Sequence, residues 1–312
     1  MHSRRRWLLA SAVVLAGCGR RTKKIIAVIP KGTSHLFWMS VRSGALSAGQ
    51  EFGVDIDWNG PNQETEYSRQ IEIMDSMIAR HVDGIAVAAC DRKSLTASLN
   101  RASAAGIPVT VFDSGVDGDN YMSFVATDNL EAGRLAARTL AELLHGRGKV
   151  AMVMHAPGSF STMDREKGFS EVMQKEFPRI EIVASQYGMS DRSKAMAAAE
   201  NILTAHPDLD GLFASAEPSS VGTALAIKSR GLSGKVKFVS FDSSDGLMED
   251  LKGGTIDAMV VQDPFKIGFT AVKTLVDKLH GQTPPKKIDL AAQVVRREDL
   301  EKPEIKRLLS VK

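Results

Sequence analysis

The stretch Ile25–Trp38, IIAVIPKGTSHLFW, decides the fold class of this chain. It begins with five apolar residues, mostly β-branched, a run that is too short for a helix and typical of a buried parallel strand. Proline, glycine and serine then break the strand before a helical pattern opens at Leu36. In an open α/β sheet, ligands bind beyond the carboxyl ends of the strands. The residues that we expect at the rim of such a pocket are Lys31, His35, Phe37 and Trp38. Alternatively, one of the two rings is a core residue of the first helix.

The same alternation of short apolar runs and helical patterns continues along the chain. Further strands are predicted at Val54–Trp58, Gly84–Ala88, Val109–Phe112, Ser123–Ala126, Val150–Met154, Ile180–Ser185, Leu212–Ser215, Val236–Phe241 and Ala258–Val261. The clearest helical pattern between them has Ile71, Met74 and Ile78 on one face. Strands that alternate with helices of this length indicate βαβ units and a parallel sheet, and therefore an α/β fold.

The second half of the chain repeats landmarks of the first half. Three pairs of matching segments lie about 125 to 129 residues apart: Lys24–Ile29 with Lys149–Met154, Asp83–Ala86 with Asp210–Phe213, and Val111–Ser114 with Ser240–Ser243. The repeat predicts two similar Rossmann-like lobes with a ligand cleft between their strand ends. It places Asp113 and Asp242 at equivalent strand ends, facing that cleft. Each aspartate alone is equally well explained as a helix N-cap, and their equivalence favours ligand binding.

Composition and charge are those of a soluble globular protein. The 312 residues suffice for two domains, and 43% are hydrophobic and 25% charged. Without Arg4–Arg6 the chain has 37 basic and 37 acidic residues, so its charge predicts no nucleic-acid partner. No dinucleotide-binding GxGxxG follows the first strand, and no P-loop, HExxH or GxSxG motif is present. The sequence therefore predicts neither a cofactor nor a metal site.

Residues 1–17 are predicted to be a signal peptide. A basic start is followed by the apolar run Trp7–Ala16, which is too short to span a bilayer. The run leads into Leu15-Ala16-Gly17-Cys18, which resembles the lipobox of bacterial lipoproteins. The resemblance implies a lipid on Cys18, a tether over residues 18–24, and a location in the periplasm or at the cell surface, anchored to the membrane. An ordinary cleaved signal with an incidental cysteine is the alternative. Cys90 then has no partner and is predicted to be a small buried side chain.

From about Lys24 to Val295 the chain resembles the type I periplasmic binding proteins, and within them the ribose-binding-like, sugar-binding components of ABC importers. The segments that carry the resemblance are HLFWMSVRSGA (35–45), AGIPVTVFDSG (105–115), SFVATDN (123–129), DREKGF (164–169), NILTAHPDLDGLFA (201–214), FVSFD (238–242) and MVVQDPFKIG (259–268). Together they are specific to the fold and the family and less specific to the ligand.

The resemblance assigns roles to individual side chains. In that family, aromatic rings of the first helix stack on the sugar, acids bind its hydroxyls, and an amide lies beside the hinge. The matching residues here are Phe37, Trp38, Asp113, Asp242 and Gln262. Aromatic planes suit the apolar faces of a sugar ring, and carboxylates and amides suit its hydroxyls.

The chain also departs from the family pattern. Ser114 and Met163 stand where the family has arginines, Ala216 stands where it has asparagine, with Glu217 nearby, and Ser190 stands where it has an aromatic residue. Ribose itself is therefore not the expected ligand, and another sugar, a sugar derivative or a polyol is. Lys31 and His35 are the candidates to supply the missing donors. Arg165 matches an arginine that is usually structural.

The resemblance further implies lobes formed by residues 25–127 plus 264–289 and by residues 128–263 plus 290–312. A monomer would close about this hinge on its ligand and deliver it to a membrane permease without making or breaking a bond. A ligand sensor that signals through a membrane receptor is compatible with every residue named. A repressor of the same fold would need a DNA-binding domain where the signal peptide is predicted. A hydrolase would use Asp113 and Asp242 as paired carboxylates.

Overall fold

The computed structural model describes residues 23–309 and shows two lobes, each built on a six-stranded sheet. The sheet of the first lobe contains β1 (Ile25–Ile29), β2 (Asp55–Trp58), β3 (Gly84–Val87), β4 (Val109–Phe112), β5 (Ser123–Thr127) and β11 (Lys287–Leu290). Its strands are all parallel, in the order β11-β5-β4-β3-β1-β2. The apolar run that opens the sequence is the buried strand β1, next to the centre of this sheet.

The sheet of the second lobe repeats this arrangement. It contains β6 (Gly148–Met154), β7 (Ile180–Tyr187), β8 (Gly211–Ala214), β9 (Lys237–Phe241), β10 (Ala258–Val261) and β12 (Gln293–Val295). The order is β12-β10-β9-β8-β6-β7, and β12 alone runs antiparallel to its neighbour. The prediction of an α/β fold with two similar lobes is therefore confirmed.

Helices cover both faces of each sheet. They are α1 (Leu36–Phe52), α2 (Tyr67–Ala79), α3 (Thr96–Ala104), α4 (Asn129–Leu143), α5 (Phe160–Glu176), α6 (Arg192–Ala205), α7 (Glu217–Ser229), α8 (Asp245–Gly253), α9 (Pro264–Leu279) and α10 (Pro303–Leu309). In the first lobe α1 and α9 pack on one face and α2 and α3 on the other. In the second lobe α4 and α5 pack on one face, and α6, α7, α8 and α10 on the other. Among the described residues, no helix is both long and apolar enough to cross a membrane.

The chain passes between the lobes three times. It leaves the first lobe after β5, returns to it after β10, and leaves again after β11. Leu290, which the sequence assigns to the second lobe, is the last residue of β11 and pairs with Thr127. Short crossings of this kind between two packed lobes are the arrangement that hinge motions of two-lobed proteins use.

The local predictions differ from the structure in a few places. Each of the ten predicted strands is present to within about two residues, and β11 and β12 were not predicted. The predicted face of α2 packs on the core: Met74 is buried there together with Ile73 and Met77, and Ile71 and Ile78 are partly buried against the same cluster. Cys90 is buried, as predicted, and forms no disulfide within residues 23–309. The predicted signal peptide, Cys18 and the tether up to residue 22 lie outside the described residues.

Candidate functional site

A cleft lies where the carboxyl ends of the two sheets face each other. Its lining comprises Lys31, His35, Phe37, Trp38, Glu64, Asp113, His155, Ser161, Thr162, Arg165, Ala216, Glu217, Pro218, Asp242 and Gln262. Eight of the ten side chains that the sequence singled out as ligand-binding are among them. The other two, Ser114 and Met163, lie outside this lining. Ser114 is buried beside it, where its Oγ accepts the backbone N–H of Ser161 at 3.4 Å, and Met163 is half-buried on α5.

The two strand-end aspartates occupy equivalent positions in the two lobes. Asp113 and Asp242 both have left-handed backbone conformations, with φ of 55° and 65°. Their backbone N–H groups donate to the carbonyls of Val125 and Val260, each at 2.9 Å. The backbone therefore leaves the end of a central strand in the same way in both lobes. Aspartate tolerates this conformation better than most residues, since its short side chain bonds locally. Both carboxylates are buried and line the cleft from opposite sides.

Asp242 is tied to the hinge. Its Oδ1 accepts Gln262 Nε2 at 2.7 Å, and Gln262 Oε1 accepts the hydroxyl of Thr127 at 2.6 Å. Thr127 ends β5 and Gln262 follows β10, so one amide links two of the three crossings to a carboxylate of the cleft. Asp242 Oδ2 also accepts the backbone N–H of Glu217 at 3.2 Å. These bonds fix the side chain of Asp242 in its position in the second lobe.

Asp113 has a looser environment. Its Oδ2 lies 3.8 Å from Lys31 Nζ, beyond hydrogen-bond distance. Burial raises the pKa of Asp113 to about 6, although Lys31 and Arg165 act in the opposite direction. This carboxylate therefore has the capacity to accept further hydrogen bonds.

Glu64, in the loop between β2 and α2, forms the centre of the cleft and was not predicted from the sequence. Its Oε1 accepts Trp38 Nε1 at 2.8 Å and lies 3.3 Å from His35 Nδ1. Its Oε2 lies 3.2 Å from Lys31 Nζ and 2.9 Å from His155 Nε2. Burial alone would raise the pKa of Glu64, but Lys31 and the two histidines outweigh it and hold the pKa well below its usual range. Glu64 is therefore ionised and fully engaged.

His155 brings the second lobe into this network. It follows β6, is buried, and has a pKa below its ordinary value because burial outweighs the attraction of Glu64. The neutral imidazole donates Nε2–H to Glu64, which leaves Nδ1 as a buried acceptor without a partner within residues 23–309. Lys31 Nζ also reaches the second lobe and donates to Ser159 Oγ at 3.2 Å. These contacts join the two lobes directly.

The two rings of the first helix have different surroundings. Trp38 is buried in the core of the first lobe and packs edge-on against Phe112. Phe37 is half-buried and stands edge-on to Trp38, with 4.9 Å between ring centres. Trp38 therefore acts as a core residue whose indole N–H positions Glu64, and Phe37 is the more accessible ring of the cleft. His35 directly precedes α1 without capping it through its side chain, and its bond to Glu64 raises its pKa even though burial opposes this.

Arg165 and Glu166 on α5 are held by the second lobe. Arg165 donates to Asn129 Oδ1 at 2.8 Å and to the carbonyl of Ser215 at 2.9 Å, and its guanidinium lies 3.9 Å from the ring centre of Phe241. Glu166 accepts the backbone N–H of His155 at 3.1 Å, and burial raises its pKa to about 7. Arg165 thus has the structural role that its resemblance implied, and it also lines the cleft.

Glu217, the first residue of α7, lines the cleft and has one carboxylate oxygen that no described residue pairs with. Its Oε1 accepts Arg192 Nη2, whereas Oε2 is buried and has no partner in the described part of the chain. The hydroxyl of Ser161, in the same lining, is also buried without a partner there, whereas the unpaired hydroxyl of Ser190 lies outside the lining. Burial raises the pKa of Glu217 against the opposing effects of Arg192 and His35. Buried polar atoms of native proteins are normally paired, so these unpaired atoms indicate where a ligand or ordered water binds.

A second, adjoining groove shares Phe37, Asp242 and Gln262 with the cleft. Its outer wall is formed by Leu308 and Leu309 of α10. Within residues 23–309, no group of histidine, cysteine and acidic side chains is arranged to hold a metal ion. The cleft is therefore equipped with charges, hydrogen-bonding groups and one accessible ring, which suit reversible binding of a polar ligand.

Residues 26–283 match the model of a family described as the periplasmic binding protein domain. This chain belongs to that family. The match runs from β1 to just past the end of α9, and so includes most of both lobes and the first two crossings. Together with the relatives described next, it confirms the resemblance to ribose-binding-like, type I periplasmic binding proteins.

Characterised relatives and solved structures agree with this assignment. The ribose import binding protein of Bacillus subtilis is 26% identical over 270 residues, which cover 86% of each chain. The D-allose-binding periplasmic protein of Escherichia coli is 29% identical and covers 80% of this chain and 83% of its own. A carbohydrate transporter solute-binding protein from Agrobacterium radiobacter, in complex with D-arabinose, is 30% identical with a TM-score of 0.90. The superposition covers 93% of this chain and 100% of that protein. A solute-binding protein from Agrobacterium vitis with bound D-fucose is 33% identical with a TM-score of 0.89, and the superposition covers 92% of this chain and 100% of that protein.

Proposed function

We propose that this periplasmic binding protein captures a sugar or sugar derivative by closure of its two lobes and delivers it to the permease of an ABC importer. One observation carries the proposal: charged and hydrogen-bonding side chains of both lobes converge on one buried cleft, and several of their polar atoms are unpaired among the described residues. Sugar hydroxyls would pair these atoms. The D-arabinose and D-fucose bound to the two solved relatives support the ligand class.

In the proposed complex each lobe supplies part of the site. Asp113 and the ring of Phe37 come from the first lobe, and Asp242 and Glu217 come from the second. Lys31 and His35 would act mainly through Glu64, to which both are bonded. Ligand contacts to both lobes exist only when the lobes are closed, so ligand binding stabilises the closed arrangement by that difference in affinity. Such binding makes and breaks no bond, and we therefore expect no turnover.

The first test is a thermal-shift screen of the chain from Gly19 onward against pentoses, hexoses, sugar amines, sugar acids and polyols. A ligand at about 100 times its Kd adds roughly 2.7 kcal/mol to the unfolding free energy, a shift of several degrees. We expect such a shift with one sugar class and its loss in Asp113→Ala and Asp242→Ala. Asp208→Ala, on an exposed surface, is the control and should keep the shift. The absence of a shift with every sugar would overturn the proposal.

The proposed location is outside the cytoplasm, on a membrane, through a lipid on Cys18. The LAGC sequence at the end of an apolar run supports this anchor. We expect the wild-type protein in the membrane fraction of cells labelled with a radioactive fatty acid, and we expect the label on the protein. Cys18→Ala should lose the label and leave the membrane fraction, whereas Cys90→Ala should retain both. A membrane-bound, unlabelled protein would exclude the lipid anchor.

A further inference from the structure

The lining of the cleft has four acidic side chains but, apart from His35 and His155, only two basic ones. Its carboxylates are Glu64, Asp113, Glu217 and Asp242, whereas its permanent cations are Lys31 and Arg165. Arg192 adds a third cation from the rim, where it pairs with Glu217 and is about half exposed. Burying an excess of negative charge is unfavourable unless a counter-charge or hydrogen bonds compensate it. A ligand that carries positive charge would supply this compensation.

The four carboxylates differ in how many partners they already have. Glu64 is saturated by Lys31, Trp38 and the two histidines. Asp242 accepts Gln262 and the backbone of Glu217, while its ion-pair distance to Arg165 is 4.0 Å. Its place in the cleft is therefore defined by neutral donors. The capacity to bind a further donor is concentrated in the other two carboxylates.

Those two are Glu217 and Asp113. Glu217 Oε2 is buried without a partner among the described residues. Asp113 Oδ2 lies 3.8 Å from Lys31 Nζ, which is too far for a hydrogen bond. The pKa values of both groups lie above their ordinary values, because burial disfavours their charged forms. The site therefore holds carboxylates that a positively charged hydrogen-bond donor would stabilise. The neutral acceptor His155 Nδ1 lies in the same lining and is likewise unpaired there.

We propose that the ligand is an amino sugar, whose protonated amine is bound by the free oxygen of Glu217 and whose hydroxyls are bound by Asp113 and Asp242. This inference rests on the proposed function and narrows its ligand class. A charge-assisted bond to a buried carboxylate is roughly twice as strong as a neutral one. A sugar acid or sugar phosphate would add negative charge to four carboxylates, and we expect neither to bind.

A matched set of ligands tests the inference by calorimetry on the purified protein. The first set is D-glucose, D-glucosamine, N-acetyl-D-glucosamine and D-glucuronate. The second set is D-galactose with its amine, its N-acetylated amine and its uronate. We expect the free amine of one set to bind at least about tenfold more tightly than the parent sugar, and the acid not to bind. Acetylation removes the charge and should cancel the gain. A parent sugar that binds as tightly as its amine overturns the inference and leaves the proposed function standing.

Two variants with opposite expected effects separate charge from shape. Glu217→Gln keeps the size of the side chain and should lower the preference for the amine over the parent sugar by about tenfold. Arg192→Gln removes the cation that competes for Glu217 and should raise the same preference. Equal changes for amine and parent sugar in both variants would contradict the assignment to Glu217. If neither set nor any pentose, polyol or sugar acid binds the wild-type protein, the proposed function itself has failed.

Discussion

Replacing Glu64 with alanine should weaken ligand binding by about 100-fold or more, while the protein still folds. Glu64 is the shared partner of Lys31 and, across the cleft, of His155. Without it, closure of the lobes buries Lys31 beside no carboxylate except Asp113 at 3.8 Å. Removing one partner of a buried ion pair costs about 3–5 kcal/mol, and each 1.4 kcal/mol is a factor of ten in Kd. The cost falls on the closed state, because water reaches both groups when the lobes part.

The measurement is calorimetric titration with the sugar that gives the largest shift in the thermal screen. Glu66→Ala is the matched control, since Glu66 is exposed and lies two residues further along the same loop. Glu64→Gln should give a smaller loss, of about tenfold, because the amide still accepts the indole N–H of Trp38. A double-mutant cycle with His155→Ala isolates the contact between the lobes and should show coupling of about 1 kcal/mol or more. Strictly additive losses would show that the Glu64–His155 contact does not stabilise the closed state.

This centre of the cleft could not be predicted from the sequence. Glu64 and His155 are 91 residues apart in the chain, and nothing local couples them. Glu64 comes from an irregular loop with several polar residues, any of which would be equally suitable from the sequence alone. The position of His155 could have been recognised, because the residue directly follows β6, as Pro30 directly follows β1 in the other lobe. Residues at the carboxyl ends of these strands lie beside the cleft. The aspartates were predictable because each follows a buried strand and each has an equivalent in the other lobe.

The fold was predictable to a greater extent than the site. Buried parallel strands are nearly continuous apolar runs, so most of the ten predicted strands could be recognised from their sequence pattern, and the edge strands β2 and β7 still carry apolar residues. The two missed strands lie at sheet edges, and β11 has charged, exposed Lys287 and Asp289, which give it no apolar pattern. The core-facing side of α2 was predicted, but the burial of Gln70 on it was not. Its amide donates to the carbonyls of Pro30 and Ala88, a tertiary role that hydrophobic periodicity does not reveal.

In each lobe, the close packing of two helices against each other depends on a glycine. In the first lobe α1 crosses α9 at Gly44, where an added Cβ would lie 2.0 Å from the carbonyl oxygen of Phe265. In the second lobe α5 crosses α4 at Gly168, where an added Cβ would lie 2.1 Å from the carbonyl oxygen of Leu130. Gly44 and Gly168 occupy equivalent positions in the repeat. Two backbones can approach this closely only where one of the residues has no side chain.

Gly44→Ala should therefore lower the unfolding free energy by about 3 kcal/mol, although alanine is the better helix former. The new methyl group would meet backbone atoms of α9, which move only if the whole helix moves, and overpacking of this kind costs about 1–3 kcal/mol or more. Gly168→Ala should have a similar effect in the other lobe. The measurement is urea unfolding of the ligand-free protein, followed by circular dichroism and by tryptophan fluorescence, which reports on the first lobe through buried Trp38.

The matched control is Gly246→Ala in α8, where an added Cβ would meet nothing within 4 Å. It should be neutral, or stabilising by up to about 1 kcal/mol, because alanine loses less backbone entropy in a helix. If Gly44→Ala and Gly246→Ala unfold at the same urea concentration, the contact between α1 and α9 is not the constraint described. If Gly44→Ala is destabilised but binds its sugar with unchanged affinity once folded, the two sets of interactions are separate. Helix packing then maintains each lobe, and the charged network around Glu64 governs how the lobes close.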